Sequence, residues 1–287
     1  MEPVRAPFLE RLESYQLRVS SLLCVGIDPD PRYMGLSDFD GSSLFSFCKD
    51  LVIQTAPFVC AFKIQVARFA AYGFEDEVRR LVDFIHLHYP DIIVILDAKR
   101  GDVPFTSECY AKECFERYSA DAATVNPYLG ADAVLPFSSY QESGDRGVFV
   151  LCKTSNLGSS DLQECTLYDG CNVYMRVAGL VSKFCSKYNN CGLVVGATYP
   201  DAISEIRLSY PHLWFLAPGC GVQGASLEKL MEATGGNKVL VAISRSISYP
   251  SYFFKDMSFF KDSKATPASV ALFMRDRINK YRAVNVS

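Results

Sequence analysis

Eight short runs of consecutive apolar residues recur along the chain, at 22–27, 58–64, 92–96, 122–126, 147–152, 192–197, 213–217 and 238–243. Several are apolar at nearly every position, as in parallel strands covered on both faces, rather than alternating as in strands with one wet face. Between the runs the period lengthens to that of a helix. Residues 74–89 place apolar side chains at 74, 78, 81, 82, 85 and 89, and a second helical stretch covers 107–118 after Thr106. Eight strand-plus-helix units in 287 residues predict an α/β protein of the (β/α)8 TIM-barrel class, one domain over 1–287. A doubly wound open sheet is the alternative, and the lack of a G-x-x-x-x-G-K-S/T sequence weakens it. Residues 156–170 are polar and without a period, which predicts a surface loop. The aromatic- and lysine-rich stretch 249–266 predicts a second insertion ahead of a final amphipathic helix at 267–281.

Composition narrows the function classes. With 49% apolar and 21% charged residues the chain can bury one large core. A net charge of −3 leaves no positive excess to neutralise a run of phosphates, so no nucleic-acid partner is expected. No stretch approaches the roughly 18 to 20 consecutive apolar residues of a membrane span, and the segment Met1-Glu2-Pro3-Val4-Arg5 lacks the basic-then-apolar order of a secretion signal. A soluble, cytoplasmic protein without a membrane partner is the expectation. The eleven cysteines are odd in number, scattered and free of C-x-x-C pairs, which reads as reduced thiols serving as small apolar residues. His86 and His88 are two apart and point to different sides of a helix, and His212 stands alone after Pro211, so no metal site is expected.

In a barrel of this class the chemistry sits where strands end. That rule singles out Asp28 and Asp30, Lys63 and Gln65, Asp97 with Lys99 and Asp102, Asn126, Lys153 with Ser155, Thr198, Gln223, and Ser244 with Arg245. Asp97 and Lys99 end an apolar strand, and a two-residue period directs both side chains to one face. Asp102 follows Gly101, so one lysine is bracketed by two carboxylates within six residues. An ordinary solvated polar turn is the alternative. At about 4 Å and an effective dielectric near 20, an opposite charge is worth roughly 4 kcal/mol, which keeps Lys99 an ammonium. An imine-forming lysine needs the reverse, a neutral amine, whereas a charged one suits a general acid delivering a proton to a developing carbanion.

Two further segments suit phosphate. The glycine-rich turn Ala217-Pro218-Gly219-Cys220-Gly221-Val222-Gln223-Gly224 follows the seventh run and can present backbone N–H groups and the Gln223 amide to an anion. Ser244 and Arg245 follow the eighth, in the loops where such barrels commonly bind phosphate, and an arginine there can donate two N–H groups.

The sequence Asp97-x-Lys99-x-x-Asp102-x-x-x-Thr106, with Gly26-Ile27-Asp28, Phe62-Lys63, the Pro218-Gly219-x-Gly221-x-Gln223 turn and Arg245, resembles the orotidine 5′-monophosphate decarboxylases over residues from about 20 to 250. Lys99-Arg100-Gly101-Asp102, Asn126-Pro127-Tyr128-Leu129-Gly130 and the long loops resemble the longer of that family's subgroups. The resemblance implies loss of CO2 from orotidine 5′-monophosphate to give uridine 5′-monophosphate, the last step of de novo pyrimidine synthesis, with no metal, flavin or pyridoxal cofactor. It implies that Lys99 donates the proton to C6 of the pyrimidine and that Lys63, Asp97 and Asp102 complete a charged array. Asp28 then contacts the ribose, Ser155 the pyrimidine, and Gln223 and Arg245 the phosphate, with Asn126, Pro218 and Ser244 completing the substrate-binding set. Asp102 and Thr106 are implied to serve the partner's site across a homodimer interface. Lys153-Thr154-Ser155 departs from the Glu-Met-Ser of many shorter members, and the loop leading to Gln223 is very short. Magnesium-dependent sugar-phosphate barrels share the Asp-x-Lys-x-x-Asp run but place a metal-binding glutamate where Lys63 stands, and a second ammonium there opposes a divalent cation. Some members are fused to orotate phosphoribosyltransferase, so this chain can also be one domain of such a fusion.

Overall fold

Each of the eight apolar runs is a strand: β1 Leu23–Ile27, β2 Ala61–Gln65, β3 Ile93–Arg100, β4 Ala122–Val125, β5 Gly147–Lys153, β6 Cys191–Val195, β7 Trp214–Pro218 and β8 Val239–Ile243. The computed structural model describes residues 5–35, 39–221, 224–254 and 265–284. Every strand runs parallel to the next in sequence order, and β8 closes onto β1 through Leu23↔Val241 and Cys24↔Ala242. Closure leaves no sheet edge, so the open-sheet alternative is excluded. β1, β4, β6 and β8 are buried at every position, because side chains of one face fill the barrel and those of the other pack under the helices. This double coverage is why the runs do not alternate.

The helices differ from the sequence expectation mainly at their ends. The 74–89 stretch is the helix Glu75–His88, with Val78, Leu81, Val82 and Ile85 on its buried stripe. The 107–118 stretch starts earlier, at Pro104, whose fixed φ and missing N–H suit a first helical turn. It ends in a π-helical turn over Glu113–Arg117. The final helix is Pro267–Val284. The expected insertion at 249–266 includes the short helix Pro250–Phe253, and its residues 255–264 lie outside the described residues.

A helix the apolar runs did not announce, Phe8–Arg18, packs under the N-terminal end of the barrel and buries Phe8, Leu9, Leu12 and Gln16. Phe8 meets Phe149 edge-on, with centroids 6.1 Å apart. Gly147 makes room for that ring, since a Cβ there would lie 2.3 Å from Phe8. At the same end, the buried Asp121 gathers Arg5, Arg11, His86 and the N–H of Val94. Burial raises the pKa of Asp121, but the hydrogen bond and charge of His86 and the charge of Arg11 outweigh it and bring it to about 2. The paired carboxylate thus occupies His86 and accounts for it structurally. Cys109 and Cys165 are exposed, Cys171 is half-buried and the other seven described cysteines are buried, with no disulfide among the described residues. Burial pushes the Cys60, Cys114 and Cys220 thiols up to about 12, which suits inert space-fillers.

Candidate active site

Asp97 is the hub of the C-terminal mouth. It is 6% exposed and accepts from four side chains on three adjacent strands. Lys63 Nζ lies 2.6 Å and Gln65 Nε2 3.1 Å from Oδ2, while Lys99 Nζ lies 2.5 Å and Thr124 Oγ1 2.9 Å from Oδ1. Parallel register produces this convergence, since Gln65 stands opposite Asp97 on β2 and Lys63 shares the face of Gln65 two residues earlier.

Asp97 and Lys99 do meet in the mouth, but not by the simple alternation expected from sequence. The β3–β4 register slips between Leu96 and Arg100, and Lys99 adopts a left-handed backbone with φ +49°. For a non-glycine residue that conformation costs energy and needs surrounding support. Part of the support is visible: Lys99 N donates to Thr124 Oγ1 at 3.0 Å, and the same hydroxyl donates to Asp97. Gly101 then lets the chain pass Asn126, whose carbonyl oxygen would be 2.3 Å from a Cβ.

The electrostatics favour two fixed charges. Burial works against ionised Asp97, yet Lys63 and Lys99 outweigh it and hold the carboxyl well below the usual carboxylate range. For Lys63 burial likewise opposes the charged form, and Asp97 with Asp28 overcomes it, leaving Lys63 above the ordinary lysine range. Lys99, by contrast, has a 45% exposed side chain and faces open space.

That space is a cavity of about 700 Å³, lined at one end by Lys63, Asp97, Lys99, Thr124 and Asn126 and along one wall by Leu151, Val173, Val177, Val194 and Leu216. A second cavity of about 480 Å³ is lined by Asp28, Gly219, Gly221, Gly224, Ser244, Arg245 and Ser246. Ser155 and Pro218 line both, so the two adjoin. One holds the charged array beside an apolar wall, the other an arginine beside a glycine turn. Asp28 Oδ1 and Ser246 Oγ are buried without a hydrogen-bond partner among the described residues, and such atoms on a cavity wall mark places for a ligand's polar groups. The glycines at 219, 221 and 224 have the G-x-G-x-x-G spacing of dinucleotide-binding turns, but they follow a strand of a closed barrel and not the open sheet in which that fingerprint operates.

The stretch 156–170 is a surface loop as expected, exposed at most positions, and it also contributes Asn156, Leu162 and Gln163 to the larger cavity. It forms a 3-10 turn over Leu157–Asp161, and Gln163 folds back so that Thr154 N donates to its Oε1 at 2.8 Å. Its polar, aperiodic sequence is that of a segment packed by specific hydrogen bonds and not by a stripe.

Lys63, Asp97, Lys99, Asn126, Ser155 and Pro218 are thus brought together around one cavity, and Asp28, Ser155, Pro218, Ser244 and Arg245 around the other. Asp102 and Thr106 line neither. Asp102 is half-buried and accepts from Val103 N at 2.7 Å, and it appears in no ion pair among the described residues. Within one chain Lys99 is therefore paired by Asp97 and not bracketed by two carboxylates. Thr106 is half-buried on the helix Pro104–Lys112, and Gln223 lies outside the described residues. Sequence reasoning passed over Thr124 and Gln163. A lone hydroxyl in the apolar run 122–126 was the available signal for Thr124, and Gln163 had none.

A family model described as "Orotidine 5′-phosphate decarboxylase / HUMPS family" matches residues 21–248. The orotidine 5′-phosphate decarboxylase of Azoarcus sp. (strain BH72) is 43% identical over 279 residues, covering 96% of this chain and 99% of that protein. Among solved structures, Leishmania donovani OMP decarboxylase is similar with a TM-score of 0.79 and 33% identity, covering 96% of this chain and 99% of the other. Leishmania donovani UMP synthase is similar with a TM-score of 0.82 and 34% identity, covering 97% of this chain and 57% of the other.

Proposed function

This chain belongs to the orotidine 5′-phosphate decarboxylase / HUMPS family, and we propose that it uses Lys99 to protonate C6 of the pyrimidine as it converts orotidine 5′-monophosphate to uridine 5′-monophosphate. The activity is that of a cofactor-independent carboxy-lyase of pyrimidine biosynthesis. The observation that carries the proposed mechanism is the Asp97 carboxylate, held ionised between the ammonium groups of Lys63 and Lys99 at the end of the larger cavity.

In this reading the pyrimidine occupies the larger cavity with C6 toward Lys99, Ser155 sits at the junction, Asp28 contacts the ribose, and the phosphate enters the smaller cavity toward Arg245 and Ser244. The substrate carboxylate then lies near fixed negative charge at Asp97, a repulsion that disappears as CO2 leaves. The C6–carboxyl bond breaks, its electron pair stays on C6, and the ammonium of Lys99 stabilises that charge before giving its proton to C6. The neutral amine regains a proton from solvent, so one proton is consumed per CO2 released. Lys63 keeps Asp97 ionised throughout.

The magnesium-dependent chemistry of sister barrels is the second reading to test. An absorbance assay of orotidine 5′-monophosphate should show the same turnover with and without EDTA, whereas loss of activity in EDTA would mean that a metal takes part and that Lys63 is misassigned.

The smaller cavity gives a prediction of its own. Binding energy from a remote group can be used at the reacting centre, so the phosphate grip should contribute to rate as well as affinity. Arg245→Ala is expected to lower kcat/KM for orotidine 5′-monophosphate by about 100-fold or more. It should also abolish any acceleration of the phosphate-free nucleoside by added phosphite. A rise in KM alone, with phosphite acceleration intact, would confine Arg245 to anchoring.

A homodimer with shared sites completes the proposal. Val103 (51% exposed) and Phe105 (78%) flank Asp102 and Thr106 in sequence, and Tyr128 (75%) follows β4, the strand paired with β3. An apolar, aromatic patch of this kind favours association, and a two-fold interface would carry Asp102 toward a neighbouring site. We also place the protein in the cytoplasm. Its buried thiols fit a reducing compartment, and among the described residues no helix is long and apolar enough to cross a membrane.

A further inference from the structure

Lys153 takes no part in the charged array, lines neither cavity, and yet is a lysine only 1% exposed at the last position of β5. A buried ammonium is tolerated only where partners replace water. Three are present, two from the loop that follows and one from beyond β6. Nζ donates to Ser159 Oγ at 2.6 Å, pairs with Glu164 Oε1 at 2.9 Å, and lies 3.9 Å from the centre of the Tyr199 ring, over its face. Ser159 Oγ is also within 3.2 Å of Tyr199 hydroxyl.

We infer that Lys153 is the positioning residue of the pyrimidine-binding loop, an internal anchor that holds residues 154–164 across the barrel mouth. The residues that follow it, Thr154, Ser155 and Asn156, line the larger cavity, as do Leu162 and Gln163 at the loop's far end. Ser159 and Glu164 belong to the same loop, so pulling Lys153's partners inward pulls the cavity wall with them. A second stitch, Gln163 Nε2 to Thr154 Oγ1 at 2.9 Å, ties the two ends together. Tyr199 gives the anchor a fixed floor, because it precedes the helix Pro200–Ser209 and belongs to the barrel rather than to the loop. If the loop lifts, the ammonium loses Ser159 and Glu164 and keeps only the aromatic face of Tyr199. Loop closure and satisfaction of Lys153 are therefore the same event. Ser155 is held from the other side as well, since a Cβ on Gly196 would lie 2.9 Å from its Cα.

The assignment rests on the reading that the pyrimidine occupies the larger cavity, and two competitive inhibitors separate the two ideas. Uridine 5′-monophosphate uses both cavities and ribose 5-phosphate only the smaller. Lys153→Met keeps the length of the side chain and removes its charge. It is expected to weaken inhibition by uridine 5′-monophosphate about 10-fold while leaving ribose 5-phosphate within about 2-fold. Ser159→Ala and Glu164→Gln alter only the loop's side of the anchor and should shift the same ligand in the same direction, which keeps the test decisive if Lys153→Met fails to fold. Adding Ser159→Ala to Lys153→Met should bring no further loss, because the bond is already broken. Equal weakening of both ligands, or unchanged inhibition by uridine 5′-monophosphate, would overturn the positioning role. A wild-type enzyme that binds the nucleotide no more tightly than ribose 5-phosphate would overturn the pyrimidine placement itself.

Discussion

Lys99→Ala should lower kcat for orotidine 5′-monophosphate by about 10⁵-fold, the combined loss of a proton donor and of the charge that stabilises the carbanion. Binding of uridine 5′-monophosphate should change much less, because that ligand's carbon already carries its proton. The variant should fold normally, as the Lys99 side chain is 45% exposed and Asp97 retains Lys63, Gln65 and Thr124 as donors. Replacement by arginine restores the charge but not an acid able to give up its proton, so Lys99→Arg should recover little of the rate. Spectrophotometric turnover combined with inhibition by the product checks all of this. A Lys99→Ala enzyme within about 100-fold of wild type would remove Lys99 from the role of donor.

Mixing two inactive chains should create activity. Asp102 forms no ion pair among the described residues and lines neither cavity, yet it sits beside the exposed Val103 and Phe105 in sequence. If it acts in a partner's site, a heterodimer of Lys99→Ala and Asp102→Ala chains contains one site with both changes and one with neither. Verified heterodimers should then show about half the wild-type rate per dimer, orders of magnitude above either parent. The absence of recovery in such heterodimers would return Asp102 to a role within its own chain or to none.

The two experiments probe residues that the sequence made visible in different ways. Lys99 and Asp97 stand out because a nearly uniform apolar run ends on charges, and a strand end in this architecture is where a ligand binds. Asp102 stands in the same six residues, and nothing in the spacing tells which of its neighbours it faces. The fold separates them: the register slip after Leu96 and the left-handed Lys99 turn the chain, so that Lys99 stays in the mouth and Asp102 leaves it. The contribution of the loop 156–170 to the larger cavity was harder still. Hydrophobic periodicity reports packing against a core, and a segment fastened by Lys153, Thr154 and Gln163 has no such pattern to report. The helix Phe8–Arg18 was missed for a related reason, since its buried residues Phe8, Leu9, Leu12 and Gln16 cap a barrel end with a short, partly polar stripe.

What the sequence determined by itself is the set of eight strands, their order and the end at which polar residues collect. Burial on both faces demands unbroken apolar runs, and that demand is written locally in each run. Only the tertiary structure decided which side chains share the Asp97 carboxylate. Lys63 is 34 residues from Asp97 and Thr124 is 27, and they meet because the barrel brings three consecutive parallel strands into register. The same holds for the anchor beneath the pyrimidine loop, where Lys153 meets a ring 46 positions away, at Tyr199, that no spacing rule connects to it. Local pattern specifies which elements form, whereas hydrogen bonds and charge pairs between neighbouring strands depend on how those elements are laid side by side.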